Sequence, residues 1–201
     1  AQRGVKIFSV NCTLGDIGTQ DAATTRPAVA TTRLLEAEEA ARILGIEQVH
    51  SLGHHDGELV ADLELRAQIA RFYRVTQADT LLTFDPFWPG QVHPDHRAAG
   101  QAALDAYMPS KMPLYRPEQL REPGAGLGCL QRVFLSSTDR EPDVFVDVSS
   151  VYEAKLAACL AHHSQFSQGM DSLQWLQGWD EERGKAIGAA RAESFRRMTV
   201  W

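Results

Sequence analysis

The sequence lacks a long run of apolar residues. No stretch of the 201 residues approaches the ~20 consecutive apolar side chains that a membrane-spanning helix needs. The opening residues, Ala-Gln-Arg-Gly-Val, also lack the basic region followed by an apolar region that is typical of a secretory leader. These absences predict a soluble protein with no membrane span.

Cysteine is scarce as well. The three cysteines, Cys12, Cys129 and Cys159, lie far apart and form no Cys-x-x-Cys pair, so neither a disulfide framework nor a thiolate zinc site is indicated. We interpret them as small buried residues in a reducing compartment, which favours a cytoplasmic location. Any metal must then be held by histidine and carboxylate side chains.

Lysine and arginine residues are also fewer than aspartate and glutamate residues. The formal net charge is -6, and lysine and arginine form no basic run. This pattern argues against a nucleic-acid backbone as the main partner. A small-molecule ligand is the better prediction, and assembly into a homo-oligomer stays open.

What the sequence does contain is an alternation of strand and helix patterns. With 44% hydrophobic and 23% charged residues, 201 residues can bury one substantial core, so we predict a single domain over 1–201. Periodicity and turn residues give strands at 5–10, 48–52, 80–84, 130–136 and 144–148, and helices at 26–44, 62–75 and 151–162. Gly45 is the predicted C-cap of the first helix and Asp62 the N-cap of the second.

This order predicts an α/β fold with a Rossmann-like, mostly parallel sheet flanked by helices. The apolar strand 80–84 is expected to be buried on both faces. Residues 108–128 hold several prolines and glycines and are expected to be irregular. No Gly-x-Gly-x-x-Gly follows a strand, so the fold does not imply dinucleotide binding.

Polar side chains follow several of the predicted strands. In open α/β sheets, ligands bind beyond the carboxyl ends of the strands, so these residues are the candidates for a site. They are Asp16, His54, His55, Asp56, Asp85 and the run His93-Pro94-Asp95-His96. For residues 54–56 alone, a solvated turn is the favoured interpretation.

The run His93-Pro94-Asp95-His96 carries the strongest chemical signal. It places two imidazoles and a carboxylate at the start of a predicted helix, 97–107. Neutral imidazole binds zinc, and a neighbouring carboxylate often fixes its tautomer. The alternative is that Asp95 caps the helix while both histidines are exposed to solvent on the protein surface.

Several segments in a row resemble one family, the LmbE/PIG-L de-N-acetylases, in order and spacing. They are Thr13-Leu14-Gly15-Asp16-Ile17-Gly18, Arg33-Leu34-Leu35-Glu36, Leu52-Gly53-His54-His55-Asp56-Gly57-Glu58-Leu59, Leu82-Thr83-Phe84-Asp85-Pro86, His93-Pro94-Asp95-His96, Phe145-Val146-Asp147-Val148 and Ala161-His162-His163-Ser164-Gln165. Each segment is weak alone, but together they are specific and span nearly the whole chain.

The resemblance implies hydrolysis of the acetamide of an N-acetylated amino sugar with a single Zn²⁺. His96 would be a zinc ligand. His93, paired with Asp95, would stabilise the tetrahedral intermediate or protonate the leaving amine.

The resemblance also places Arg33, Asp16 and Asp56 near the substrate. The alternatives are a helix-surface ion pair between Arg33 and Glu36, and turn-forming contacts for the two aspartates. His162 fits the family pattern too, although a core histidine with satisfied hydrogen bonds is the favoured interpretation there.

One part of the family pattern has no match. The His-Pro-Asp-Asp-Glu motif, which by family analogy supplies two more zinc ligands and the general base, is nowhere in the 201 residues. We therefore expect a first strand, the ligand loop and most of a helix to precede Ala1, with residues 1–4 as a helix end. The chain as written should bind zinc weakly, since catalytic sites generally use three protein ligands. Asp16, Asp56, His93, Asp95 and His96 are expected to converge on one cleft.

Two other functions stay open. An amidase acting on a larger sugar-thiol conjugate would use the same zinc chemistry with different loops. A non-catalytic sugar-binding module is the alternative if the chain is complete as given.

Overall fold

The computed structural model describes residues 4–136, 138 and 141–200. The strands among these residues are β1 (Phe8–Thr13), β2 (Gln48–His54), β3 (Thr80–Phe84), β4 (Arg132–Ser136), β5 (Val144–Asp147) and β6 (Ala192–Met198). The α-helices in the same described part of the chain are α1 (Arg26–Leu44), α2 (Leu63–Thr76), α3 (Pro94–Asp105), α4 (Tyr107–Lys111), α5 (Tyr152–Leu160) and α6 (Gln174–Lys185). The prediction of a helix end at residues 1–4 falls mostly outside the described residues.

Contacts between residues divide the chain into two compact units. The first comprises the residues up to Gly57 together with Phe145–Glu193, and the second comprises Glu58–Val144 together with the residues from Ser194 onward. The prediction of one domain over 1–201 stays a prediction.

In the first unit, β1 and β2 pair in parallel and α1 connects them. The register runs from Phe8 opposite Gln48 to Thr13 opposite His54, so both strands end at the same edge. Helix α1 has the predicted bounds, because Gly45 adopts a left-handed conformation (φ 69°) that an α-helix cannot continue. Its inner face packs on α5 through Ala40, Ala158 and Ala161.

In the second unit, β3 pairs in parallel with β4, and β4 pairs antiparallel with β6. Within this unit, the paired strands lie in the order β3-β4-β6. Helix α2 begins at the predicted cap, where the Asp62 carboxylate accepts the backbone N–H groups of Glu64 and Leu65 at 3.0 and 2.8 Å. The predicted α/β class with parallel strands and flanking helices is confirmed, with β6 as an antiparallel addition.

Three sequence predictions need correction. Strand β3 is not buried on both faces, since Leu82 is 58% exposed; β3 stands at the edge of its sheet. Helix α3 begins at Pro94 rather than at residue 97, because proline with its fixed φ suits the first turn of a helix. Helix α5 ends at Leu160, so His162 lies beyond it.

Residues 108–128 are held together by one buried arginine. The segment contains α4 and a 3-10 helix over Pro117–Arg121 rather than being irregular throughout. The fully buried guanidinium of Arg74 donates hydrogen bonds to the Gln119 side chain and to the main-chain carbonyls of Pro109, Ser110, Met112 and Arg116. Arg74 therefore fixes the path of the segment.

We expect Arg74→Met to lower the free energy of unfolding by about 3–5 kcal/mol, because it leaves several buried carbonyls without a donor. Arg71→Met on the same helix is the matched control. Arg71 pairs with Glu122 in a partly exposed contact, and such pairs contribute about 1 kcal/mol or less. Urea unfolding of both variants tests this, and equal losses would contradict the role given to Arg74.

Within the part of the chain that the structure describes, no helix is long and apolar enough to cross a membrane.

Candidate functional site

The start of α3 brings together both histidines of the run at 93–96. The imidazole of His96 lies between two rings, with centroid distances of 3.9 Å to Phe84 and 4.3 Å to His93. Gly100 allows this arrangement, since a Cβ at that position would lie 2.5 Å from the carbonyl oxygen of Phe84. A side chain there would push α3 away from the end of β3.

His96 has the hydrogen bond that a metal-binding imidazole needs. Its Nδ1 lies 3.1 Å from Oε1 of Gln91. An amide oxygen only accepts hydrogen bonds, so Nδ1 carries the proton and the lone pair is on Nε2. Burial and the neighbouring His93 lower the pKa of His96 despite the opposing effect of Asp95, which keeps the ring neutral near pH 7.

Gln91 was not among the residues predicted from the sequence. A carboxylate was expected as the partner of the predicted zinc-binding imidazole, and the structure shows a buried amide instead. The backbone of Gln91 is itself fixed by a bond from its N–H to the carbonyl of Trp88 at 3.0 Å. Its position two residues before His93 is the only sequence signal that could have indicated it.

His93 caps α3. Its Nδ1 accepts the backbone N–H of Asp95 at 3.3 Å, so the neutral ring carries its proton on Nε2. The alternative in which Asp95 caps the helix does not hold, because the capping side chain is His93. The buried Asp95 carboxylate instead accepts the backbone N–H of Leu59 at 3.2 Å.

Asp85 serves the turn after β3. Its carboxylate accepts the backbone N–H of Phe87 at 2.9 Å and the hydroxyl of Thr138 at 2.8 Å. Asp85 is buried, and we assign it to support of the loop that leads to α3.

In the first unit, Asp16 holds the loops that follow β1 and β2. Its carboxylate accepts hydrogen bonds from Arg26 Nε at 2.8 Å, His55 Nδ1 at 2.7 Å and the backbone N–H of Asp56 at 2.8 Å. Burial opposes ionisation, but these donors hold the pKa of Asp16 well below its ordinary range. The Asp16 carboxylate therefore lies next to the backbone of Asp56 and the imidazole of His55.

The Arg33 side chain packs against the loop that follows β1. Its guanidinium donates to the Gly18 carbonyl, while its Nε and one terminal nitrogen are buried without a hydrogen-bond partner among the described residues. Burial lowers the pKa of Arg33, although Glu36 and Asp56 oppose the shift. These two nitrogens therefore remain without a hydrogen-bond acceptor among the described residues.

The ion pair between Arg33 and Glu36 forms, but it is largely buried rather than on the helix surface. The nearest approach of Arg33 to the Glu36 carboxylate is 3.9 Å, and both side chains are largely buried. The Glu36 carboxylate accepts the backbone N–H and the hydroxyl of Ser164, both at 2.7 Å. Glu36 therefore connects α1 to the loop after α5. Glu36 and Ser164 are 128 positions apart, so no local sequence pattern indicates this contact.

His162 lies in that loop. Its Nδ1 is 3.9 Å from Glu36 and 3.3 Å from the Gln165 amide, and burial lowers its pKa. The role of His162 as a structural core residue stays a prediction.

The structure thus forms two clusters, one in each unit: Asp16, Asp56 and Arg33 in the first, and His93, Asp95 and His96 in the second. The convergence of both on one cleft stays a prediction. Across residues 4–136, 138 and 141–200, no group of three or more histidine, cysteine, aspartate or glutamate side chains is arranged to hold a metal ion.

Comparison with known proteins gives a family match and deacetylase relatives. Residues 1–107 match the model of the family PIG-L, described as GlcNAc-PI de-N-acetylase. Diacetylchitobiose deacetylase of Thermococcus kodakarensis is 33% identical over 197 residues, which cover 96% of this chain and 72% of that protein. A probable N-acetyl-alpha-D-glucosaminyl L-malate deacetylase 2 of Bacillus cereus is 28% identical over 87% of this chain and 83% of that protein.

Solved structures agree with this result. N,N'-diacetylchitobiose deacetylase from Pyrococcus horikoshii superposes with a TM-score of 0.89 at 31% identity, over 98% of this chain and 74% of that one. The 4-carboxy-2-hydroxymuconate hydratase GalB from Pseudomonas putida gives a TM-score of 0.82 at 21% identity, over 100% of this chain and 87% of that one. The second likeness shows the fold alone.

Proposed function

Because the chain belongs to the PIG-L (LmbE) family, we propose that it hydrolyses the acetamide of an N-acetylglucosamine-type substrate, using Zn²⁺. The products are acetate and a free amino sugar. The observation that carries the proposal is the similarity to sugar deacetylases along nearly the whole chain. The GalB likeness means that the fold by itself does not decide the chemistry.

The His96 imidazole fits a zinc ligand. Gln91 holds the proton of His96 on Nδ1, which leaves the Nε2 lone pair for a metal. When bound, zinc supplies a Lewis acid that polarises the acetamide carbonyl and activates water. His96 is the one ligand that we assign among the residues of this chain.

We assign to His93 the stabilisation of charge on the reacting carbonyl. Its Nδ1 is engaged by the backbone N–H of Asp95, so the neutral ring offers an Nε2–H donor. A fixed neutral donor suits a developing oxyanion. Protonation of the leaving amine by His93 would require an imidazolium, whose Nδ1–H could not accept the cap hydrogen bond. Asp95 supports this role by fixing the start of α3.

Arg33 and Asp56 are proposed to contact the sugar. The two buried donor nitrogens of Arg33 that lack a hydrogen-bond partner among the described residues would be satisfied by hydroxyl or carbonyl oxygens of a ligand. The backbone of Asp56 is fixed by Asp16, which holds this loop in place before a ligand binds.

The direct test is acetate release. Purified full-length protein with added zinc should release acetate from N,N'-diacetylchitobiose or N-acetylglucosamine. Faster release from an N-acetylated sugar-thiol conjugate would favour the amidase alternative. Sugar binding without any acetate release would favour the non-catalytic module and contradict the proposal.

A cytoplasmic location and a homo-oligomer remain predictions.

Gln91→Leu is expected to weaken zinc binding about 10-fold to 100-fold, because removal of a partner that orients a metal-binding imidazole typically has this effect. Competition with a chromophoric chelator measures the change without reference to activity. Gln91→Glu, which keeps an acceptor, is the matched control and should retain most of the affinity. Equal affinity in the leucine variant would contradict the assigned role of Gln91.

A further inference from the structure

The His55 imidazole, which is paired with the Asp16 carboxylate at the carboxyl ends of β1 and β2, has no role in the function proposed so far. His55 Nδ1 lies 2.7 Å from Asp16 Oδ2. The Asp16 side chain is 1% exposed, whereas the His55 side chain is 58% exposed. The ring is therefore anchored at one edge and open to solvent at the other.

The anchor sets the tautomer of His55. Arg26 and the backbone N–H of Asp56 bind the Asp16 carboxylate at 2.8 Å each, and both interactions favour the ionised form. An ionised carboxylate only accepts hydrogen bonds, so the neutral imidazole must place its proton on Nδ1. The opposite nitrogen, Nε2, then carries a lone pair on the open edge of the ring.

The pair lies where α/β sheets bind ligands. Thr13 and His54 are opposite each other at the ends of the two parallel strands, and the backbone N–H of Leu14 donates to the His54 carbonyl at 2.9 Å. Asp16 and His55 follow directly, beyond the carboxyl ends of both strands. An amino sugar presents several hydroxyl donors, and an outward-facing imidazole lone pair is an acceptor for one of them.

We propose that His55 is a substrate-recognition residue that accepts a hydrogen bond from a sugar hydroxyl through Nε2, with Asp16 as the residue that positions it. Asp16 then acts through His55 and through the Asp56 backbone rather than by touching the sugar. The inference rests on the proposed function for its substrate class and adds a contact to it.

His55→Asn tests the contact. The asparagine amide can replace Nδ1–H as a donor to Asp16, so the loop is retained, but it has no counterpart of Nε2. We expect a roughly twofold to tenfold loss of affinity for N-acetylglucosamine and N,N'-diacetylchitobiose in NMR titrations, the effect of one neutral hydrogen bond. His55→Gln, which extends an amide toward the Nε2 position, should recover part of the loss.

Two controls separate recognition from structure. Gln48→Ala alters an exposed polar residue at the amino end of β2 and should leave sugar affinity unchanged. Long-range ¹H–¹⁵N spectra should show the Nδ1–H tautomer of His55. The His55 signals are identified by their absence from the spectrum of His55→Asn. The Nε2–H tautomer would overturn the inference.

The remaining outcomes distinguish this inference from the proposed function. Unchanged sugar affinity in His55→Asn, in protein that releases acetate from the same sugars, overturns the role of His55 alone. No binding of either sugar to the wild-type protein overturns the inference together with the substrate class.

Discussion

In the full-length protein, His96→Ala is expected to abolish zinc retention and turnover together. The imidazole is oriented by Gln91 and packed between Phe84 and His93. Loss of an orienting partner alone weakens metal binding 10-fold to 100-fold, so loss of the ligand should exceed about 100-fold. Metal content after gel filtration and acetate release measure the two effects in protein that retains zinc before mutation.

His163→Ala is the control, since His163 is an exposed histidine with no role in the proposed site. It should keep zinc and activity. Because alanine at position 96 also leaves a gap beside Phe84, thermal unfolding should accompany the metal analysis and show a folded variant. Stoichiometric zinc in folded His96→Ala would remove His96 from the ligand set.

The sequence was sufficient where local chemistry determines structure. Helix α1 has the predicted bounds because a left-handed glycine ends it, and α2 starts where a carboxylate can cap it. Strand β3 was also predicted with its observed bounds, since a short apolar run followed by Asp-Pro leaves few alternatives.

Where structure depends on distant partners, the sequence was insufficient. Residues 192–198, Ala-Glu-Ser-Phe-Arg-Arg-Met, show no regular alternation of apolar and polar residues, yet they form β6 by pairing with β4. Helix α6 was missed as well, because Gly178 and several polar residues obscure its apolar face. Both elements need tertiary contacts to be recognised.

The same division applies to the candidate site. His93 and His96 are three positions apart, so their proximity at the start of one helix followed from the sequence. The contact between His55 and Asp16 joins residues 39 positions apart. Residues 54–56 were therefore interpreted as a solvated turn, which agrees with the exposure of His55 but not with its buried partner.

His93→Ala is expected to lower kcat about 10²-fold to 10⁴-fold while zinc remains bound. In the proposed mechanism, the Nε2–H of His93 stabilises charge that develops only as water attacks, so KM should change much less than kcat. Steady-state kinetics of acetate release, together with metal content of the same preparation, checks both parts of the expectation.

His93 also caps α3, so alanine at this position removes a structural contact worth about 0.5–2 kcal/mol. His93→Asn separates the two roles, because the asparagine side chain can cap a helix but has no Nε2–H directed outward. The asparagine variant should recover stability in thermal unfolding while kcat stays low. Recovery of kcat along with stability would show that His93 acts only as a cap. Loss of zinc with activity in His93→Asn would show instead that the roles of His93 and His96 are exchanged.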